Sequence, residues 1–273
     1  MTDFIRFPGG KAKALTFSYD DGVREDIQLV EILKKHGMHG TFNVNAGLCG
    51  ASVAHLTEKE VQALYLPAGQ ELSCHMLTHP FPTRLTAPRL VYEITEDRRR
   101  LEALTDGIVC GMAYPYGDYN AETIALLKAA GITYARTTRS TERFSLPENF
   151  LELHPTCHHN NERLFDLADT FFAAQPDEGA HGRDPLLFYV WGHAYEFPRD
   201  NNWERIERFC EKTAGHDDVW YATNGEICAY VTAARGLQFS LDGTMVHNPS
   251  ALDVWIDHAK RLYHIPAGAT VKL

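Results

Sequence analysis

The sequence predicts an α/β fold: an irregular (β/α) barrel of seven or eight parallel strands with a short C-terminal β appendage. Three observations carry that expectation. Short apolar, β-rich runs alternate with stretches of helical period, and such alternation implies parallel strands joined by helices. Asp20-Asp21, His75/His79, Tyr116, Arg136, His154/His158/His159, His193 and Asn224 each fall just past the C-terminal end of an expected strand. In a barrel those ends converge on one face, where (β/α) barrels carry their chemistry. The tail then breaks the rhythm, with alternation around Asp242-Gly243 that marks a hairpin.

The first strand, 14–19, is the apolar run "ALTFSY". A helix over 25–36 places Ile27, Val30, Ile32 and Leu33 inward and stops at Gly37. "TFNVN" is the second strand, and "LTEKEVQAL" opens a helix with Thr57 as N-cap and Glu60 three residues on, a capping box. "ELSC" is the third strand, "HMLTHPFP" its turn, and a long helix over 87–104 carries Pro88 in its first turn, where proline is tolerated. "IVCGMAY" is the fourth strand, "PYGDYN" its turn, and 121–130 a helix closed by Gly131. "ITYA" and "FLEL" are the fifth and sixth strands, and 161–174 is helical. "LLFYVW" is the most clearly buried strand; helix 203–213, the strand "DVWYA" and the helix "TNGEICAYVTAA" complete the barrel. "LDVWIDH" and "ATVKL" add short strands to the tail. The expected units are a barrel over 1–236 and a β appendage over 237–273 packed on it, too small to be a domain of its own.

Composition narrows the function. The 273 residues are 44% hydrophobic and 23% charged, with a formal net charge of −10. That balance argues against nucleic acid, an anionic membrane surface or a polyanionic substrate as partner. No run is apolar enough to span a membrane, and the polar start "MTDFIRFPGGKAKAL" does not read as a signal peptide, so a cytoplasmic location is expected. Cys49, Cys74, Cys110, Cys157, Cys210 and Cys228 form no CxxC pair, so free thiols are expected rather than a cysteine zinc site.

The chemistry lies in two short stretches. "SYDDG" sets two carboxylates side by side at a strand end, which only a cation, a proton or open water makes tolerable. "CHMLTHP" holds His75 and His79 four residues apart in a proline-closed turn, able to reach one ion. Two histidines and one aspartate make a three-ligand set with an open fourth position, the catalytic zinc pattern. The aspartate left over is then placed to act as a general base on water activated there.

"TFSYDDG", "HMLTHP", "YPYG" and the later "WGH" resemble, in order and spacing, the motifs of the polysaccharide deacetylase family, the NodB homology domain or carbohydrate esterase family 4. The resemblance covers roughly residues 12–235 and implies a distorted (β/α) barrel. It implies Asp21, His75 and His79 as ligands of a divalent metal, zinc first and cobalt or another ion as alternatives. It implies Asp20 as general base, the backbone N–H of Tyr116 as an oxyanion donor, and His193 as the general acid.

Two positions depart from the family's pattern. Met76 stands where a serine or threonine is usual, with Thr78 before the second histidine instead. Ala113 stands where an arginine usually steadies the base; Arg136, at the end of the next strand, is the candidate replacement. Tyr114, Trp191, Tyr195 and His158 are candidate substrate contacts, the aromatics by stacking on a sugar ring. Glu196 and Asn224 are further polar candidates.

The function expected is metal-dependent removal of acetyl groups from N- or O-acetylated sugars or oligosaccharides. The alternatives are a C–N hydrolase of the same fold acting on a non-sugar amide, and a silent carbohydrate-binding barrel, which Ala113 keeps open. The exposed strand edges of the tail would also allow pairing with a second copy of the chain.

Overall fold

The structure, a computed structural model, describes residues 3–176 and 184–273; His181, read from the sequence as an ordinary histidine, lies outside them. In chain order the strands and helices are β1 Asp3–Arg6, β2 Lys13–Asp20, α1 Asp26–Lys35, β3 Gly40–Val44, α2 Glu58–Leu64, β4 Glu71–Cys74, α3 Ala87–Thr105, β5 Gly111–Ala113 and α4 Ala121–Ala129. There follow β6 Tyr134–Arg136, β7 Cys157–His158, α5 Leu164–Ala173, β8 Leu186–Gly192, α6 Glu196–Arg199, α7 Trp203–Thr213, β9 Val219–Tyr221 and α8 Asn224–Arg235. The tail adds β10 Gln238–Phe239, β11 Met245–His247, β12 Val254–His258, β13 Arg261–Ile265 and β14 Thr270–Lys272.

Eight strands form one curled parallel sheet in the order β6-β5-β4-β3-β2-β8-β7, with β9 beside β2. This is the distorted (β/α) barrel expected. The distortion has a readable cause at β2. Its second half, Phe17–Asp20, pairs with β3, while its first half, Lys13–Leu15, pairs with β9 on the stretch that β3 does not reach. The opposite side is closed by a single segment. Leu153 bridges Arg136 of β6, and Cys157 and His158 then pair with Val190 and Trp191 of β8.

β2 and β3 are buried along their whole length, as a sheet covered on both faces requires. Phe17, Phe171, Phe188 and Phe209 meet edge-on or tilted between the sheet and the outer helices, at ring separations of 5.4–6.0 Å. α2 starts with the Thr57/Glu60 capping box. On α1 the buried stripe is Leu29, Val30, Ile32 and Leu33, whereas Ile27 is exposed, on the solvent face it shares with Glu31 and Lys34. "FLEL" is a single 3-10 turn, Phe150–Glu152, before the Leu153 bridge, because Asn149 caps Leu151 N–H and bends the chain there.

The tail folds as two three-stranded sheets. β10, β11 and β14 form one, and β10–β11 is the hairpin around Asp242-Gly243. The other is β1-β12-β13, so the N-terminal strand joins the C-terminal ones. Arg6 of β1 lies buried against Asp257 of β12 at 3.2 Å. No described helix is long and apolar enough to cross a membrane.

Candidate active site

β2 ends with Asp20 pointing into the barrel mouth, 2% exposed. In a continuing strand the next side chain would point away. Asp21 instead adopts φ 81°, a left-handed conformation that turns its carboxylate back over the same mouth. Gly22, at φ 64°, completes the turn; a Cβ there would lie 2.9 Å from Val44. The paired carboxylates therefore face one space but have different neighbours.

Asp20 is held from three sides. Arg136 donates Nη2 to its Oδ2, Asn43 of β3 donates Nδ2 to its Oδ1 at 2.9 Å, and His193 Nε2 stands 3.7 Å from Oδ2. Burial raises its pKa, but Arg136, His75 and His193 outweigh burial and bring it down to about 2. A carboxylate so placed stays ionised throughout the neutral range.

Asp21 faces the two histidines of the β4 turn. Its Oδ1 lies 3.6 Å from both His75 Nε2 and His79 Nε2. His75 Nδ1 sits 2.8 Å from the Ala113 carbonyl, which assigns the ring proton to Nδ1 and leaves the Nε2 lone pair facing Asp21. Burial lowers the pKa of His75 against the pull of Asp20 and Asp21. The site therefore presents neutral imidazole nitrogen and carboxylate oxygen. Tetrahedral zinc with bonds of about 2.1 Å spaces its donors by roughly 3.4 Å, close to the separations seen. The donor set fits a divalent cation.

His193 follows β8. Its Nδ1 lies 3.6 Å from Glu196 Oε1, and its own backbone N–H donates to Glu196 Oε2 at 3.4 Å. Burial lowers its pKa, but Glu196, Asp20 and Asp21 together raise it, so the ring holds its proton more tightly than a free histidine. Glu196 also meets His158 Nε2 at 3.0 Å and His159 Nε2 at 3.2 Å. His158 Nδ1 accepts the Asn160 N–H at 3.1 Å, so its Nε2 carries the proton and donates to Glu196. His158, His159 and Glu196 are close enough to form a second ligand set, but that tautomer leaves His158 no lone pair for a metal.

Tyr116 has φ 59°, and its ring is turned outward. The ring stacks on Phe81 at 3.8 Å and meets His79 edge-on at 4.5 Å. Trp191, 8% exposed, lies under the Arg136 guanidinium at 4.5 Å. Tyr195 sits 5.1 Å from the His193 ring. Tyr114 requires a correction. It is fully buried, its hydroxyl donates to Leu151 O at 2.8 Å and its ring stacks on Tyr119, so it belongs to the core and not to a substrate surface. Asn224 is likewise buried, bonded to Tyr189, Thr16 and Thr41. His154 bonds Thr137 Oγ1 at 2.6 Å.

Sequence reasoning passed over Asn43, Glu93 and Asp97, and took Glu196 only as a polar candidate. A signal existed for each. Asn43 is a polar residue inside a buried strand, and Glu93 and Asp97 fall on the stripe Leu90, Glu93, Ile94, Asp97 and Leu101 that α3 buries.

The strand ends of this parallel barrel thus gather a His₂Asp cluster, a held aspartate and, beside it, the His193 ring. Residues 8–135 match the polysaccharide deacetylase family model, and over that stretch the chain is similar to the family. The peptidoglycan-N-acetylmuramic acid deacetylase PdaC of Bacillus subtilis (strain 168) is 28% identical over 121 residues, which are 44% of this chain and 25% of PdaC. The matched stretch is thus a quarter of that relative's length. A family 4 carbohydrate esterase from Streptomyces lividans, solved with acetate, shares the fold at TM-score 0.51 and 18% identity, covering 77% of this chain and 90% of that one. Puue allantoinase does so at TM-score 0.62 and 17% identity, covering 81% and 91%. At these identities both likenesses concern the fold alone.

Proposed function

We propose that this chain is a divalent-cation-dependent hydrolase that removes acetyl groups from N-acetylated sugar units, with zinc as the first candidate ion. The observation that carries the reading is the placement of Asp20, held by Arg136 and set between the His193 ring and the Asp21/His75/His79 cluster.

Asp21, His75 and His79 would hold the cation, which supplies Lewis acidity to polarise an acyl carbonyl and make water more acidic. Asp20 takes the proton from the attacking water as the oxygen adds to the acyl carbon. The Tyr116 backbone N–H donates to the carbonyl oxygen as it gains charge; one such donor typically contributes about 100- to 1,000-fold in rate. The C–N bond then breaks as His193 passes its Nε2 proton to the departing nitrogen, leaving acetate and the amine. A proton returning from Asp20 to His193 resets the pair. The Phe81–Tyr116 stack on one rim and Tyr195 on the other offer flat apolar faces to a sugar ring.

The test is acetate release by zinc- or cobalt-reloaded protein from N-acetylated sugars of one to six units, acetylated xylo-oligosaccharides and simple amides. Acetate from the N-acetyl sugars alone supports the reading. Hydrolysis of a non-sugar amide with no acetate from any sugar would replace it by a C–N hydrolase, and inactivity with tight cation binding would replace it by a silent binding barrel.

A further inference from the structure

We propose that Glu93 and Asp97 of α3 are positioning residues that hold the His75–His79 turn in the shape its cation needs; the inference rests on the cation-site reading above. The turn does not hold this shape by itself. Met76 has φ 59° and His79 φ 57°, a left-handed conformation that L residues avoid unless their surroundings impose it. Met76 carries no side-chain hydroxyl or amide to brace it.

α3 supplies the brace. It buries two carboxylates four residues apart in an otherwise apolar stripe, and both are 0% exposed. Buried carboxyl groups are retained only where other groups satisfy their hydrogen bonds. Here the turn and its flanks do so. Asp97 accepts the His75 N–H at 3.0 Å on Oδ2 and the Ala46 N–H at 2.7 Å on Oδ1. Glu93 accepts the Thr78 N–H at 2.9 Å on Oε2 and the Thr78 hydroxyl at 2.9 Å on Oε1, where Arg89 also donates at 2.6 Å. The Glu93 carbonyl takes the Leu77 N–H at 3.2 Å. The backbone N–H groups of residues 75, 77 and 78 thus all reach two residues of one helix, that of His75 being shared with the Val44 carbonyl at 3.2 Å. Asn45 completes the frame by donating Nδ2 to the carbonyls of His75 and Met76. These bonds run to the backbone and to Thr78, not to the imidazoles, so the two carboxylates act through the turn.

The test is cobalt binding, read by calorimetry and by the visible d–d spectrum, beside the thermal midpoint of the metal-free protein. Glu93→Gln, Asp97→Asn and Thr78→Val should each bind cobalt about 10- to 100-fold more weakly, as losses in the shell behind metal ligands usually do. Their spectra should shift, and Thr78→Ser should restore the wild-type values. Glu93→Gln with Thr78→Val should lose less than the sum of the two, because the bond from the Thr78 hydroxyl to Glu93 is common to both. If Asp97→Asn does not fold, the Glu93 and Thr78 variants decide. Wild-type protein that binds no cobalt overturns the cation reading and this proposal with it. Wild-type protein that binds, with variants of equal affinity and unchanged spectrum, overturns the positioning role alone.

Discussion

Arg136 donates to Asp20 from β6, and its partner in the β5–β6 register is Ala113. The position where the family's arginine is expected and the position that carries one here therefore lie side by side, at the same height in adjacent strands. The guanidinium reaches the same carboxylate from one strand further round the barrel, braced over the Trp191 ring.

Arg136→Ala should lower kcat/KM by about 100-fold or more. Burial then acts on Asp20 without its strongest opponent, so its pKa climbs from about 2 and the acidic limb of the pH–rate profile moves to higher pH. For stability the sign is fixed by the lowered pKa. The Asp20 contribution is present above the unfolded carboxylate value and is lost as pH falls through about 2. Removing the arginine leaves a buried charge unpaired, typically about 3–5 kcal/mol. Adding Ala113→Arg to the variant should restore part of both. Denaturant melts and a pH–rate profile check this; an unmoved acidic limb would count against it.

Glu196→Gln should move the opposite limb. Burial lowers the His193 pKa and Glu196 leads the groups that raise it. Without that carboxylate His193 loses its proton at lower pH, so the alkaline limb should shift acidward and the rate at neutral pH should fall about 10-fold or more. His158→Ala, which removes a donor to Glu196 and leaves Glu196 facing His193, should shift the limb far less.

Stripping the protein with a chelator should abolish hydrolysis, and zinc or cobalt should restore it. Bound ion should raise the melting point, since ligand at 100 times its Kd adds about 2.7 kcal/mol. His79→Ala should remove both effects; a melting point indifferent to the ion in the wild type would contradict the cluster's role.

Gly192→Ala should be far more damaging than its size suggests. A Cβ at this position would lie 2.0 Å from His159 Nδ1. The ring cannot swing away, because it stacks between Tyr19 at 5.7 Å and Phe197 at 4.3 Å. The strain falls on the residue before His193, so loss of activity together with about 1–3 kcal/mol of stability is expected. A fully active, equally stable variant would show that the backbone here tolerates displacement.

Much of this was legible in the sequence because it depends on local order. Strand–helix alternation gave the barrel, and the "DDG", "HMLTH" and "WGH" stretches stand at strand ends that the structure brings together. What escaped depends on register and on contacts across the chain. The β1 strand is only four residues long and pairs with β12, some 250 residues away, so no local pattern announces it. Tyr114 and Tyr116 flank one proline, yet a left-handed turn sends the second outward while the first stays in the core. Glu93 and Asp97 stand out only when the stripe they share with Leu90, Ile94 and Leu101 is seen to be buried.

The central claim is that Asp20 is the base of a cation-assisted deacetylation. Its most direct test is acetate release from an N-acetylated oligosaccharide by zinc-reloaded wild-type and Asp20→Asn protein, with bound zinc quantified in both. Both proteins should hold zinc, and the variant should lose about 100- to 10,000-fold in rate. Comparable rates with zinc bound in both would contradict it.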